Sequence, residues 1–193
     1  LCEIVVMARK KEYKEEEVIE KAMDLFWRNG YETTSMQMLE KEMGINKFSI
    51  YSSFGNKNGV FLESIKCYKL KLNSIIDQLK VASDGIEGLK NYFHDFLEFS
   101  KESNFGKGCL ITNTANELGG DIDPKIKSEL SKFTNEIRQL FKDALEQNTT
   151  KDSETLDKQA DYLIISMFGL SSASRMFNKI QLDNYIENIF KNL

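Results

Sequence analysis

The stretch "GINKFSIYSSFGNK", residues 44–57, decides how the rest of the chain is read. Gly44 and Asn46 punctuate its start, Gly55 and Asn56 its end, and the eight residues 47–54 between them suit a helix of two turns. Surface helices ordinarily expose Glu and Lys. This one offers Ser49, Ser52 and Ser53, and no carboxylate occurs between Glu42 and Glu63. A helix of that length is ~12 Å long, about the width of a DNA major groove, where hydroxyls can meet base edges. A carboxylate there would be repelled by phosphate.

The residues just before it complete a unit. Val18, Ile19, Ala22, Met23 and Phe26 recur at i, i+3, i+4 and predict an amphipathic helix over 15–29, stopped by Gly30. Thr34-Ser35-Met36-Gln37 reads as a capping box, with Thr34 as N-cap and Gln37 reaching back. Met36, Leu39 and Met43 then give a short second helix its inner face. Gly44 breaks it, Ile45 plugs the turn into the core, and Asn46 caps the third helix, which buries Ile50, Phe54 and part of Tyr51. Two short helices joined by a glycine turn and packed across a longer one form a helix-turn-helix.

Farther along, helical patterns run over 57–81 and 86–102, the latter with Leu89, Tyr92, Phe93, Phe96 and Leu97 inward. A joint at Gly106-Lys107-Gly108 leads to a helix ending near Gly119-Gly120. Asp123-Pro124 starts the next, which reaches about 147. A helix over 154–177 is apolar nearly all round its middle, "YLIISMFGLSSASRMF", and a short one begins at 181 or 182 and ends at 193. Small residues Ser166, Gly169, Ser171, Ser172, Ala173 and Ser174, on a helix with too many apolar neighbours for one buried stripe, suggest a dimer through these two C-terminal helices. The fold class is all-α.

Composition narrows the function. The 193 residues are 41% hydrophobic with a single proline, enough for one or two packed domains and no string of tethered ones. Residues 1–13 form an N-terminal arm, 14–60 the helix-turn-helix unit, and 61–193 a larger helical body. Met7 reads as the natural start, with residues 1–6 lying outside the native chain. No segment approaches the ~20 apolar residues of a membrane span. Net charge is −4, but its distribution is uneven. Arg9, Lys10, Lys11 and Lys14 precede an acidic stretch over 15–42, and Lys47, Lys57, Lys66, Lys69 and Lys71 follow it against Glu63 alone. Positive charge therefore flanks the first helix, either as DNA-facing surface or as ordinary solvated helix faces.

Three cysteines without a CxxC pair and one histidine, expected to face solvent, assemble no zinc set and point to the cytoplasm. No metal or cofactor is called for. Cys109, beside the glycine joint, is the one candidate for a reactive thiol. An enzyme on a helical bundle has no ExxH pair and no nucleophile–base set to work with.

"GYETTSMQMLEKEMGINKFSIYSSFGNKNGVF", residues 30–61, resembles the signature of TetR-family transcriptional regulators, through Gly30-Tyr31, Thr34, Gly44-Ile45, Ser49-Ile50-Tyr51, Phe54 and Lys57. "GCLITNTANEL", residues 108–118, resembles a junction in one branch of that family. The resemblance implies a homodimer with a three-helix DNA-binding head on a helical effector-binding and dimerisation body. It also implies a palindromic double-stranded operator and release by a small-molecule effector. By position it implies that Thr34, Ser35 and Gln37 approach backbone and nearby bases, that Lys47, Phe48, Ser49 and Ser52 face bases, and that Tyr51 and Lys57 hold phosphates. Candidates for the effector site are Tyr92, Phe93, Phe96 and Met167, with polar handles from Asn113, Asn116 or Glu117. Three positions depart from the family pattern: Glu40 and Gly59 where alanine is common, and Phe48 where small residues are frequent. The alternative reading is an architectural or protein-interaction module that keeps the fold without a specific operator or ligand.

Overall fold

A computed structural model describes residues 13–101, 107–118, 123–147, 149–191 and 193. Cys2, Arg9, Lys10, Lys11, Gly106, Gly119 and Gly120 lie outside the described residues. The elements are all helical: α1 (Glu15–Asn29), α2 (Met36–Met43), α3 (Lys47–Phe54), α4 (Lys57–Lys80), α5 (Gly85–Lys101), α6 (Leu110–Glu117), α7 (Pro124–Leu145), α8 (Ser153–Ala173) and α9 (Lys179–Lys191).

Helix α1 opens with Glu15, Glu16 and Glu17, which complement the positive end of its dipole, and stops at Gly30, whose φ is 85°. It buries Leu25 and Trp27 as well as the stripe read from periodicity, because it is packed on two sides. Phe26 meets Phe61 of α4 edge-on at 4.9 Å, while Trp27 meets Tyr68 of α4 and Phe99 of α5. One helix thus carries α2 and also roots it in the body, while α3 packs on α2 and α4.

Helix α4 runs without a break through residue 60, where the sequence reading divides head from body. Its buried residues Val60, Phe61, Ile65, Tyr68, Leu72, Ile75 and Leu79 follow helical spacing along its whole length. Gly59 is glycine for a steric reason: a Cβ there would lie 1.8 Å from the Phe54 carbonyl oxygen. The α3–α4 turn is that tight.

Behind α4 the body is layered from α5, α7, α8 and α9. Tyr92 stacks on Phe96 and meets Phe141 edge-on at 5.2 Å, and Phe93 meets Phe190 of α9. Asp123 caps α7 through the Lys125 and Ile126 amides, with Pro124 in its first turn. Asp152 caps α8.

Several boundaries differ from the sequence reading. The N-cap of α2 is Ser35, which accepts from the Met38 amide at 3.2 Å, and not Thr34. Helix α8 ends at Ala173, not near 177, because the Ser174 hydroxyl folds back onto the Ser171 carbonyl and the chain turns. A reciprocal capping box does occur, but at α9. There Asn178 accepts from the Gln181 amide and the Gln181 side chain accepts from the Asn178 amide, both at 3.1 Å, so α9 starts earlier than expected. His94 is half-buried, its Nδ1 3.8 Å from Asp183 of α9.

Candidate nucleic-acid interface

The site is built on α3. Asn46 holds its first turn by accepting from the Ser49 amide at 2.9 Å, and Ile50, fully buried, pins the inner face. Glu40 of α2, which stands where alanine is common in the family, accepts at Oε1 from the Lys47 backbone amide at 2.9 Å, so α2 also caps α3. The turn between them needs Gly44, left-handed at φ 69°.

That framework turns Lys47, Phe48, Tyr51 and Ser52 outward. Phe48 is 81% exposed and does not fold back onto the protein. The Lys47 ammonium lies 5.8 Å from the centre of the Tyr51 ring, which keeps a cation over an aromatic face on the same surface. Ser49 sits at the rim, half-buried, where the Tyr13 hydroxyl donates to its carbonyl at 3.4 Å and pairs with the Ser53 hydroxyl at 2.8 Å. Ser35 and Gln37 are exposed on α2.

Thr34 is a correction. It is fully buried, and its hydroxyl donates to the Gly30 carbonyl at 2.6 Å, so it closes the α1–α2 turn instead of approaching a partner. Lys57 is half-buried in the first turn of α4, folded back so that its ammonium donates to the Glu32 carbonyl at 3.3 Å and stands 4.3 Å over the Tyr31 ring. Burial pulls its pKa below the ordinary lysine value, while Glu32 and Glu117 pull the other way.

Of the effector candidates, the structure brings four together and separates three. Tyr92, Phe93 and Phe96 of α5 share one buried cluster with Met167 of α8, whose sulfur accepts from the Tyr92 hydroxyl at 3.7 Å. Asn113 instead holds the Lys107 carbonyl, Asn116 is exposed, and the Glu117 carboxylate accepts from the backbone amides of Tyr31 and Glu32. Those three do not line the aromatic cluster. Cys109 is fully buried with its amide on the Ser171 hydroxyl at 2.7 Å, a setting that shields a thiol from reagents. Among the described residues no group of His, Cys, Asp or Glu could hold a metal ion. No described helix is long and apolar enough to cross a membrane.

Comparison with known proteins bears directly on this arrangement. The profile of bacterial regulatory proteins of the tetR family matches residues 18–64, and that of tetracyclin repressor-like C-terminal domains matches residues 85–189. The chain belongs to the TetR family. It is a TetR-type DNA-binding regulator, all-α, with α2 and α3 as its helix-turn-helix. It is 27% identical over 136 residues to the uncharacterized HTH-type transcriptional regulator YezE of Bacillus subtilis, covering 70% of each chain. It is 26% identical over 142 residues to IcaR of Staphylococcus aureus, the negative transcriptional regulator of the biofilm operon icaADBC, covering 73% of this chain and 76% of IcaR. In fold it is similar to a cysteine mutant of the TetR-family regulator CifR, solved with a 26-base-pair operator duplex. That TM-score is 0.86 at 24% identity, covering 95% of this chain and 98% of CifR.

Sequence reasoning missed the residues that join the TetR-type head to its body. The Trp27 indole donates to the Gly108 carbonyl at 3.0 Å, Lys107 pairs with Asp24 at 3.3 Å, and Asn58 donates to Asp123 at 2.8 Å. Glu117 joins Tyr31 and Glu32 across 86 and 85 positions of sequence. Only the glycine at 30 carried a trace of that contact.

Proposed function

We propose that this TetR-type regulator is a homodimeric, non-catalytic repressor that works in the cytoplasm. It binds a palindromic operator through α3 of each subunit and lets go when a small, largely apolar effector enters the body. Residues 14–60 act as the DNA-binding head and 61–193 as the effector-binding and dimerisation body. The observation that carries this reading is the outer face of α3, an acid-free surface of Lys47, Phe48, Tyr51 and Ser52 on a helix capped from both Asn46 and Glu40. IcaR, named a negative regulator, and CifR, solved with operator DNA, support it.

In this reading Lys47, Phe48 and Ser52 meet base edges, with Ser49 at the rim, and Tyr51, Lys57, Ser35 and Gln37 meet the backbone. The apolar cluster of Tyr92, Phe93, Phe96 and Met167 is where an effector would be received, in contact with α5 and α8 at once.

The test is selection of a preferred duplex from a random-sequence library, followed by titration at several salt concentrations. Lys57→Ala should weaken every duplex alike and reduce the salt slope by about one unit. Lys47→Ala and Phe48→Ala should change which bases are preferred. If the wild-type chain selects no sequence and covers DNA broadly, the regulator reading gives way to an architectural one.

A further inference from the structure

We propose that Glu117, a body residue, is a positioning residue of the DNA-binding head: it fixes the α1–α2 turn and, through the backbone of Glu32, the seat of Lys57. The inference rests on the reading above that Lys57 meets phosphate.

Glu117 is the last residue of α6, where a carboxylate faces the negative end of its own helix dipole. That placement is unfavourable locally, so its reason is found elsewhere. Each of its oxygens is taken by the head. Oε2 accepts from the Tyr31 amide at 2.7 Å and Oε1 from the Glu32 amide at 2.8 Å. Charge-assisted bonds of this kind are about twice as strong as neutral ones. The approach is so close that a Cβ on Gly30 would stand 2.6 Å from Oε1 and 2.8 Å from Oε2. Gly30 has a positive φ, which by itself favours glycine, and the Glu117 carboxylate uses the space a Cβ would fill.

The two residues that Glu117 grips are the two that seat Lys57. Its ammonium donates to the Glu32 carbonyl and lies over the Tyr31 ring. Residue 32 thus has its amide on the body's carboxylate and its carbonyl on the lysine of α4. The Tyr31 hydroxyl is in turn bonded to Asn58, which reaches Asp123 at the start of α7. The other end of α6 is tied to α1 as well, through the Trp27 indole and the Asp24–Lys107 pair flanking Gly108. A shift of α6 therefore moves the Glu117 carboxylate relative to the turn and loosens Lys57 without any need to bend α3.

The experiment compares the full-length chain with Glu117→Ala, Glu117→Gln and, as an exposed neighbour, Asn116→Ala. Amide hydrogen exchange at Tyr31 and Glu32 is read in the free protein, and affinity and salt slope on the duplex selected by the wild type. Glu117→Ala should speed exchange at both amides by about tenfold or more, weaken the duplex by about tenfold and lower the salt slope by about one. Base preference should stay unchanged. Glu117→Gln, which keeps the shape and one acceptor oxygen, should fall between. In a Lys57→Ala background, Glu117→Ala should cost little further affinity, because both act on one contact. Unaltered exchange at Tyr31 and Glu32, or fully additive losses with Lys57→Ala, would overturn the assignment. If the wild type selects no duplex, the functional reading fails while the exchange measurement still decides whether Glu117 holds the turn.

Discussion

Gly59 shows how a single residue can reverse a rule. A glycine inside a helix ordinarily costs about 1 kcal/mol relative to alanine, so Gly59→Ala should stabilise the chain on propensity alone. Here the added Cβ would lie 1.8 Å from the Phe54 carbonyl oxygen, which belongs to backbone and cannot swing aside. Gly59→Ala is therefore expected to destabilise by about 1–3 kcal/mol, the usual cost of forced overpacking. It should also disturb α3, since Phe54 is its last residue. Urea unfolding of the variant decides by sign: a stabilised Gly59→Ala would mean that the α3–α4 turn is looser than described. The departure of Gly59 from the family pattern was visible in the sequence, but its cause was not, because the clash is with a carbonyl whose position depends on the turn. Glu40 is similar. Its departure from the family pattern was visible too, and the structure gives it the Lys47 amide.

At the scale of elements, helix ends were legible wherever one residue could act alone. Asn46, Asp123 and Gly44 each carry their signal in their own side chain or lack of one, and each sits where it was read. Thr34 and Ser35 are two competent caps side by side, and local chemistry does not rank them. Tertiary packing does, by burying Thr34 against Gly30 and leaving Ser35 to cap. Ser35→Ala should accordingly cost ~1 kcal/mol in urea unfolding, whereas Gln37→Ala should stay within about 0.5 kcal/mol. Equal costs would restore the capping box at this site. The caps of α7 and α8 add a pH signature. Asp123 is held below the ordinary carboxylate range, first by Asn58 and then by the Lys125 amide, and Asp152 by the Thr155 amide. With the folded pKa depressed, their stabilisation is present above an unfolded value of about 4 and is lost as pH falls through the folded value. Asp152→Asn, which still caps but does not titrate, should flatten the fall of the urea midpoint below about pH 4. A slope unchanged from the wild type would remove Asp152 from the acid response.

For the whole molecule, the homodimer proposed above needs a surface, and α8 and α9 are the candidates. The serines that drew attention in the sequence are mostly spent inside the chain: Ser166, Ser171 and Ser174 are buried, and Ser171 holds the Cys109 amide. A small side chain suits a tight internal contact as well as an external one, so the sequence had no means of assigning its face. The outward stripe keeps Gly169 and Ser172 of the small-residue set and adds Tyr162 and Ile165 on α8 and Met176 just past it, at alternating spacings of three and four. Met176 is 85% exposed and Ile165 69%, and Ile180 and Tyr185 of α9 extend the apolar surface. Such a seam matches helix pairing across an interface, which for an obligate dimer buries on the order of 2,000 Å² or more. Gly169 separates this account from ordinary core packing. Among the described residues a Cβ there would meet only the Tyr185 hydroxyl, at 3.5 Å, an ordinary contact, and the position is exposed. Gly169→Leu should therefore keep helicity and thermal unfolding close to the wild type, or raise them through better helix propensity. What it should lose is the close approach of two α8 helices. Sedimentation at micromolar concentration is expected to show two chains for the wild type and a shift toward one for Gly169→Leu, with binding to a palindromic duplex weakened in parallel. A wild type that sediments as one chain, or a Gly169→Leu variant that dimerises as tightly, would place the interface elsewhere on the surface.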